Sequence, residues 1–230
     1  MSKVHIAISR PLVNPEWRSR SDSIELNQER FEGPTQPLTI TFARGGQIEA
    51  SHRSLPFAGA SVDSIEIEEV LELVRDDRTL FAEITRVLVP GGTLRMRVPN
   101  RGAVAGFDSL NLYRYVADVS RAGVRVPEVD EVGFRRHFDL SDLADALGSD
   151  FVIDRTWTTG TGISELVHFG ALAGLTLTQR SAERYLPVRP ALTRLMRADR
   201  RVPVPFAGFW RWIEATRIDE EGHSRPTGRL

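Results

Sequence analysis

The feature that most constrains this chain is an amphipathic helix pattern that runs into a Pro-Gly-Gly turn and then into an alternating strand. Within residues 78–88 the apolar side chains recur at helical spacing and share one helix face, at Leu80, Phe81, Ile84, Val87 and Leu88. Pro90-Gly91-Gly92 then predicts the end of the helix, and residues 93–98 alternate as a strand does. A helix joined this tightly to a strand predicts an α/β fold, in which the helix packs on the sheet that contains the strand.

Further strand patterns are spread along the chain, with helical or polar segments between them. They lie at residues 4–8, 23–27, 38–42, 47–51, 64–67, 151–157 and 206–216. Gly45-Gly46 supplies the turn of a predicted hairpin, from Glu68 onward the sequence favours helix, and Asp139 or Ser141 is expected to cap another helix. This alternation predicts a Rossmann-like, mostly parallel twisted sheet with helices on both faces, and any ligand is expected beyond the carboxyl ends of its strands.

The composition limits the kinds of site that the chain can hold. Its 30 basic and 31 acidic residues nearly cancel, so there is no overall basic field for nucleic acid. The absence of cysteine excludes disulfides and thiolate sites, and the five histidines show no metal-ligand spacing. No apolar run is long enough for a signal peptide or a membrane span. We expect one cytoplasmic domain at 1–218, with an arginine-rich decoration at 178–205 and a flexible tail at 219–230.

Five short motifs between residues 48 and 100 stand in a characteristic order. They are Leu55-Pro56-Phe57, Ser61-Val62-Asp63, Val70-Leu71-Glu72, the run from Glu83 through Pro90-Gly91-Gly92 to Leu94, and Val98-Pro99-Asn100. In order and spacing they resemble the class I S-adenosylmethionine (SAM)-dependent methyltransferases, of the kind called methyltransferase type 11. The resemblance implies the Rossmann-like fold of that family, SAM as cofactor and methyl transfer as the activity.

The N-terminal segment resembles a subgroup of that family whose cofactor loop lies at the extreme N-terminus. On this alignment Ala7 and Ser9 occupy the two glycine positions of the loop, where a Cβ narrows the approach of the backbone to the ligand. Glu25 and Asn27 follow Ser9 by 16 and 18 residues, close to the spacing of about 20 expected for a ribose-binding acid. The resemblance therefore implies a cofactor loop that is present but degraded.

The resemblance also implies cofactor contacts from later segments. Ser51 stands where the family usually has an acid against the adenine, and Leu55 and Glu68 border the same expected pocket. Any SAM pocket is therefore expected between residues 7–10, 25–27, 49–55 and 68–69, with weakened affinity.

Two residues are candidates for catalysis. His137 precedes a capped helix and could act as a general base toward a methyl acceptor, or it could be an ordinary histidine at a helix entry. Glu69, with Glu68, could hold a substrate amine, or both could be acids that favour a helix N-terminus.

Two functions remain open on the sequence alone. The first is a SAM-dependent methyltransferase that acts on an oxygen or nitrogen of a small molecule or glycan. The second is a catalytically inactive, methyltransferase-like binding or scaffold protein with a degraded SAM pocket. The arginines of residues 180–201 could contact an anionic surface peripherally, or they could form a solvated face.

Overall fold

A computed structural model of the protein describes residues 5–9, 38–42, 47–72, 74, 76–120, 135–177 and 187–218. Seven strands form one sheet, with bounds β1 His5–Ser9, β2 Leu38–Phe42, β3 Gln47–Ala50, β4 Val62–Glu68, β5 Leu88–Pro99, β6 Phe151–Thr159 and β7 Trp210–Arg217. Within the described residues five α-helices accompany the sheet, with bounds α1 Asp77–Val87, α2 Ser109–Ser120, α3 Leu140–Leu147, α4 Ile163–Leu177 and α5 Arg189–Asp199.

The strand order across the sheet is β3-β2-β1-β4-β5-β7-β6. β4 pairs in parallel with β1 and with β5, and α1 forms the crossover between β4 and β5. β2 and β7 run against their neighbours, so the other five strands share one direction. The predicted α/β class, the mostly parallel sheet and the hairpin of β2 with β3 are confirmed.

The loop after β4 differs from the sequence-based expectation. A helix from Glu68 onward was predicted, but Glu68 ends β4 and Glu69 adopts a left-handed φ of 58°. That conformation stops the strand without starting a helix. Helix α1 begins later, where the Asp76 carboxylate accepts the backbone N–H of Thr79 at 3.2 Å.

The Pro-Gly-Gly turn lies inside β5, because this strand already begins at Leu88. A Cβ on Gly92 would stand 2.7 Å from the carbonyl oxygen of Val89 and 3.1 Å from that of Asp63. The backbone at Gly92 thus lies closer to these two carbonyl groups than a residue with a Cβ atom could. This close approach is the physical reason for glycine at this position of β5.

The two faces of the sheet differ in character. On one face, the side chains of β5 pack with α1, α3 and β7 into the main core, whose buried members include Leu94, Met96, Val98, Ile84, Leu143 and Ile213. The opposite face carries Arg95 between Glu66 (3.9 Å) and Glu214 (3.8 Å). The predicted alternation along β5 is confirmed, and it leaves charged groups on the face opposite the core.

A second group of helices forms its own small core. It contains α2, α4 and α5, whose buried contacts are Leu110, Tyr113, Leu172 and Leu192. This group of helices contacts the charged face of the sheet at the carboxyl ends of β4 and β5, where Arg200 donates to Glu69. Among the described helices, none combines the length and apolar character needed to cross a membrane.

Candidate functional site

The carboxyl ends of the same-direction strands meet at one edge of the sheet. Ser9 and Glu68 are register partners at the ends of β1 and β4, and Ala7 pairs with Glu66 two positions earlier. Ser51 follows β3 at the same edge. The structure therefore brings Ser9, Ser51 and Glu68 to one edge, whereas Glu25 and Asn27 lie outside the described residues.

The loop after β3 is fixed by α1. Leu55 is buried, its N–H donates to Glu83 Oε2 at 2.8 Å, and its carbonyl accepts Arg86 Nη2 at 2.9 Å. Arg86 also donates to the carbonyl of Phe57 at 2.8 Å and to Glu83. Hydrogen bonds within the protein therefore take up both the N–H and the carbonyl group of Leu55. This residue positions the loop and has no backbone group left for a ligand.

Glu68 and Glu69 form a bridged acidic pair at the end of β4. Arg97 Nη2 lies 3.0 Å from Glu68 Oε2 and 3.1 Å from Glu69 Oε1, and Arg200 also donates to Glu69. Burial lowers the pKa of Arg97, and the neighbouring Glu68 opposes that shift. Neither glutamate begins a helix, so the pair is organised by arginines and not by a helix dipole.

Trp210 is the centre of a cluster of guanidinium groups. The guanidinium carbons of Arg200, Arg97 and Arg135 lie 4.7, 5.1 and 5.6 Å from its ring centroid. The ring faces are electron-rich and offset the repulsion between these cations. Arg135, Arg200 and Trp210 were not identified from the sequence. Arg97 could have been identified from the sequence, because a charged residue in a predicted buried strand indicates that one face of the sheet is solvated or functional.

His137 joins this cluster through a buried carboxylate. Its Nε2 lies 3.3 Å from Asp108 Oδ2, and its ring meets Phe209 edge-on at 5.9 Å. Burial by itself would raise the pKa of Asp108, but Arg135, His137 and the N–H of Asn111 hold that pKa below its usual range. Asp108 thus remains a carboxylate that can orient the imidazole of His137.

A cavity of about 480 Å³ opens beside His137. It is lined by the apolar Phe138 and by seven charged or titratable residues, Asp77, Arg101, Arg135, Arg136, His137, Asp142 and Asp145. His137 therefore contacts Asp108 and also lines this open cavity. Within the described residues, no group of acids and histidines is arranged to hold a metal ion.

A second buried polar cluster lies next to Arg135. Ser109 Oγ lies 2.6 Å from Glu165 Oε2 and 2.8 Å from His168 Nδ1, and all three residues are buried. Arg135 Nη1 lies 3.8 Å from Glu165 Oε1. Although a serine, a histidine and an acid meet here, the serine has no access to solvent. The cluster therefore ties α2 to α4 and has no nucleophile for a substrate.

The lowered pKa of Asp108 predicts a loss of stability in acid. Its contribution is fully present above the unfolded-state pKa of about 3.9 and is lost as the pH falls through the lower folded-state pKa. Urea unfolding of the wild type should show a free energy of unfolding that declines below about pH 4. Asp108→Asn should have a shallower decline, and the exposed Asp150→Asn should not. Equal slopes for wild type and Asp108→Asn would contradict this role.

Comparison with protein families supports the resemblance found in the sequence. Residues 22–96 match a family model described as a methyltransferase domain. This segment contains β2 to β4, α1 and the first part of β5. No curated protein matches the sequence.

Several solved structures are similar to the chain. A SAM-dependent methyltransferase from Thermotoga maritima is 13% identical, with a TM-score of 0.44 and coverage of 74% of this chain and 63% of that one. One from Methanosarcina mazei is 17% identical, with a TM-score of 0.44 and coverage of 74% and 66%. Geranyl diphosphate C-methyltransferase from Streptomyces coelicolor A3(2) is 15% identical, with a TM-score of 0.38 and coverage of 74% and 52%. The chain thus spans less than two thirds of each of these structures.

Proposed function

We propose that this chain, whose residues 22–96 match the model of a methyltransferase domain, transfers the methyl group of SAM to an oxygen or nitrogen of a small molecule or glycan. The observation that carries the proposal is the register of β1 with β4, which sets Ser9 beside Glu68 at the carboxyl edge of the sheet. In open α/β sheets this edge is where ligands bind.

The residues at this edge fit SAM in part. Glu68 keeps 38% of its side chain exposed, so its carboxylate can accept hydrogen bonds from ribose hydroxyls or from the cofactor amine. Ala7, Ser9, Glu25, Asn27 and Ser51 complete the proposed cofactor-binding set, and Leu55 borders it as the residue that positions the loop after β3. Alanine and serine are the smallest side chains that can replace the family's glycines, so of all replacements they take the least space from a ligand.

His137 is the proposed general base. SAM supplies an electrophilic methyl group, so the chain must position the acceptor atom in line and remove its proton. An acceptor in the cavity beside His137 can pass its proton to the imidazole, whose positive charge the Asp108 carboxylate then stabilises. Glu69 acts in this proposal as a positioning residue, because Arg97 and Arg200 hold it at the site.

The second candidate function is a binding or scaffold protein that does not methylate. It is favoured by the alanine and serine at the glycine positions, and by the arginines that already occupy the carboxylates of Glu68 and Glu69. The two functions differ in cofactor binding, since a closed pocket accepts neither SAM nor S-adenosylhomocysteine.

Calorimetric titration with SAM and S-adenosylhomocysteine tests the proposal. We expect binding in the micromolar to high-micromolar range, and an affinity about tenfold lower in Glu68→Gln, because a hydrogen bond to a charged group is lost. Glu66→Gln is the matched control, since it lies two positions earlier in β4 and faces Arg95. Equal affinities of Glu68→Gln and wild type would remove Glu68 from the cofactor site.

A further inference from the structure

The loop between α5 and β7 presents a phenylalanine to solvent. Phe206 is 95% exposed, whereas phenylalanine is normally among the more buried residue types. Its φ of 66° lies in the left-handed region, which bulky side chains rarely adopt. An exposed aromatic ring in an unfavourable backbone conformation requires an explanation outside the folding of the chain itself.

The base of this loop is firmly attached to the rest of the fold. The N–H of Gly160 donates to Val202 at 2.9 Å, that of Val204 donates to Thr158 at 3.1 Å, and that of Phe209 donates to Gly160 at 2.8 Å. Pro203 and Pro205 further restrict the backbone. The loop therefore holds Phe206 outward, because its ends cannot move to bury the ring.

Other apolar side chains are exposed beside this loop. Val202 is 41% exposed and Ile163, the first residue of α4, is 59% exposed. The N–H of Ile163 donates to Thr161 Oγ1 at 3.2 Å, and that hydroxyl donates to Asp199 at 2.6 Å. These bonds bring the start of α4 to the end of α5, next to Val202.

Exposed arginines lie on the adjoining helix α5 and on its last turn. Arg194, Arg197 and Arg201 are exposed and follow each other at helical spacing, so they share one side of α5 and its last turn. They form no ion pair with the described part of the chain. Among residues 187–206 the one acid is Asp199, and it accepts hydrogen bonds from Thr161 and Ser164. We call these arginines, with Ile163, Val202 and Phe206, the Phe206 surface.

We propose that the Phe206 surface docks on an anionic lipid membrane. Exposed arginines are attracted to acidic headgroups, and an aromatic ring among them can enter the boundary between headgroups and acyl chains. A protein partner fits this surface less well, because it would have to present acidic groups set around an apolar pocket, whereas an anionic membrane presents acidic headgroups above an apolar layer at every point. The proposal adds an apolar anchor to the arginines and does not depend on methyl transfer.

The docked surface would lie at the same edge of the sheet as the candidate site. Arg200 stands between Arg197 and Arg201 in sequence but points inward, to Glu69 and the ring of Trp210. Trp210 follows Phe206 by four residues and begins β7. Membrane contact would therefore place the candidate site next to lipid headgroups.

Co-sedimentation with vesicles tests the proposal. The full chain should sediment with vesicles of equimolar phosphatidylcholine and phosphatidylglycerol, and much less with pure phosphatidylcholine. Phe206→Ser and the double variant Arg194→Glu/Arg197→Glu should each lower the partition coefficient by about tenfold. Both variants should melt at the wild-type temperature, because the replaced side chains are exposed.

Matched controls separate this surface from general effects. Val152→Ser removes an exposed apolar side chain from β6, and Arg53→Glu/Arg78→Glu reverses two exposed charges near α1. Both controls should bind vesicles as the wild type does. Equal sedimentation of the wild type with the two vesicle types would overturn the proposal, as would wild-type binding by Phe206→Ser. A dimer that forms without lipid and requires Phe206 would instead identify a second copy of the chain as the occupant.

Discussion

Replacing Arg135 by methionine should lower the free energy of unfolding by about 3–5 kcal/mol, because it leaves buried carboxylates without their counter-ion. Arg135 is buried and lies 3.2 Å from Asp108 and 3.8 Å from Glu165. Burial opposes the charge of Arg135, yet Asp108 and Glu165 together raise its pKa above the usual value. For a chain of this size the loss corresponds to a melting temperature lower by about 10 °C.

A surface arginine provides the matched control. Arg101→Met breaks exposed ion pairs with Asp139 and Asp142, which contribute at most about 1 kcal/mol. Adding Asp108→Asn to Arg135→Met should recover part of the lost stability, because one uncompensated charge is then removed. An Arg135→Met protein that melts within the range of the Arg101→Met control would show that the buried ion pairs are not needed for the fold.

Restoring the family residues in the cofactor loop should tighten SAM binding. In the proposed cofactor site, the variant Ala7→Gly/Ser9→Gly/Ser51→Asp would remove two Cβ atoms from the side of the ligand and would supply a carboxylate toward the adenine. Together these changes correspond to about 1–3 kcal/mol, or about 5–150-fold in affinity. Calorimetric titration of wild type and variant with SAM and S-adenosylhomocysteine measures the change directly.

The result also decides between the two candidate functions. Ala58→Gly/Ser61→Gly, in the exposed loop before β4, is the control for added backbone freedom and should leave the affinity unchanged. If the restored variant binds neither SAM nor S-adenosylhomocysteine, the pocket is closed. Methyl transfer would then be excluded, and the scaffold function would stand.

Local patterns predicted much of the fold. The helical spacing of Leu80 to Leu88 and the alternation of β5 depend on neighbouring residues, so they are readable from a single sequence. The same is true of the cap of α3, where Asp139 accepts the N–H of Asp142 and Gly148 ends the helix. The geometry of these elements is determined by residues that lie close together in the sequence.

The candidate site was only partly predictable because its contacts are distant in sequence. Arg200 reaches Glu69 across 131 residues, and no local pattern links the two. The left-handed conformation of Glu69 is equally hidden, since glutamate gives no indication of a positive φ. Ser9 and Glu68 could be placed at one edge in advance because strand direction alone determines their position.

The reversed direction of β7 has a consequence for how such a chain can diversify. Trp210 starts β7 opposite Pro99, which ends β5, and it also pairs with Thr159, which ends β6, so the segment between β6 and β7 leaves the sheet and returns to it at the carboxyl edge. Residues 160–209 can therefore gain, lose or exchange helices while the register of β1, β4 and β5 is kept. The half of the edge formed by β1, β4 and β5 and the half that carries this segment are therefore open to independent variation.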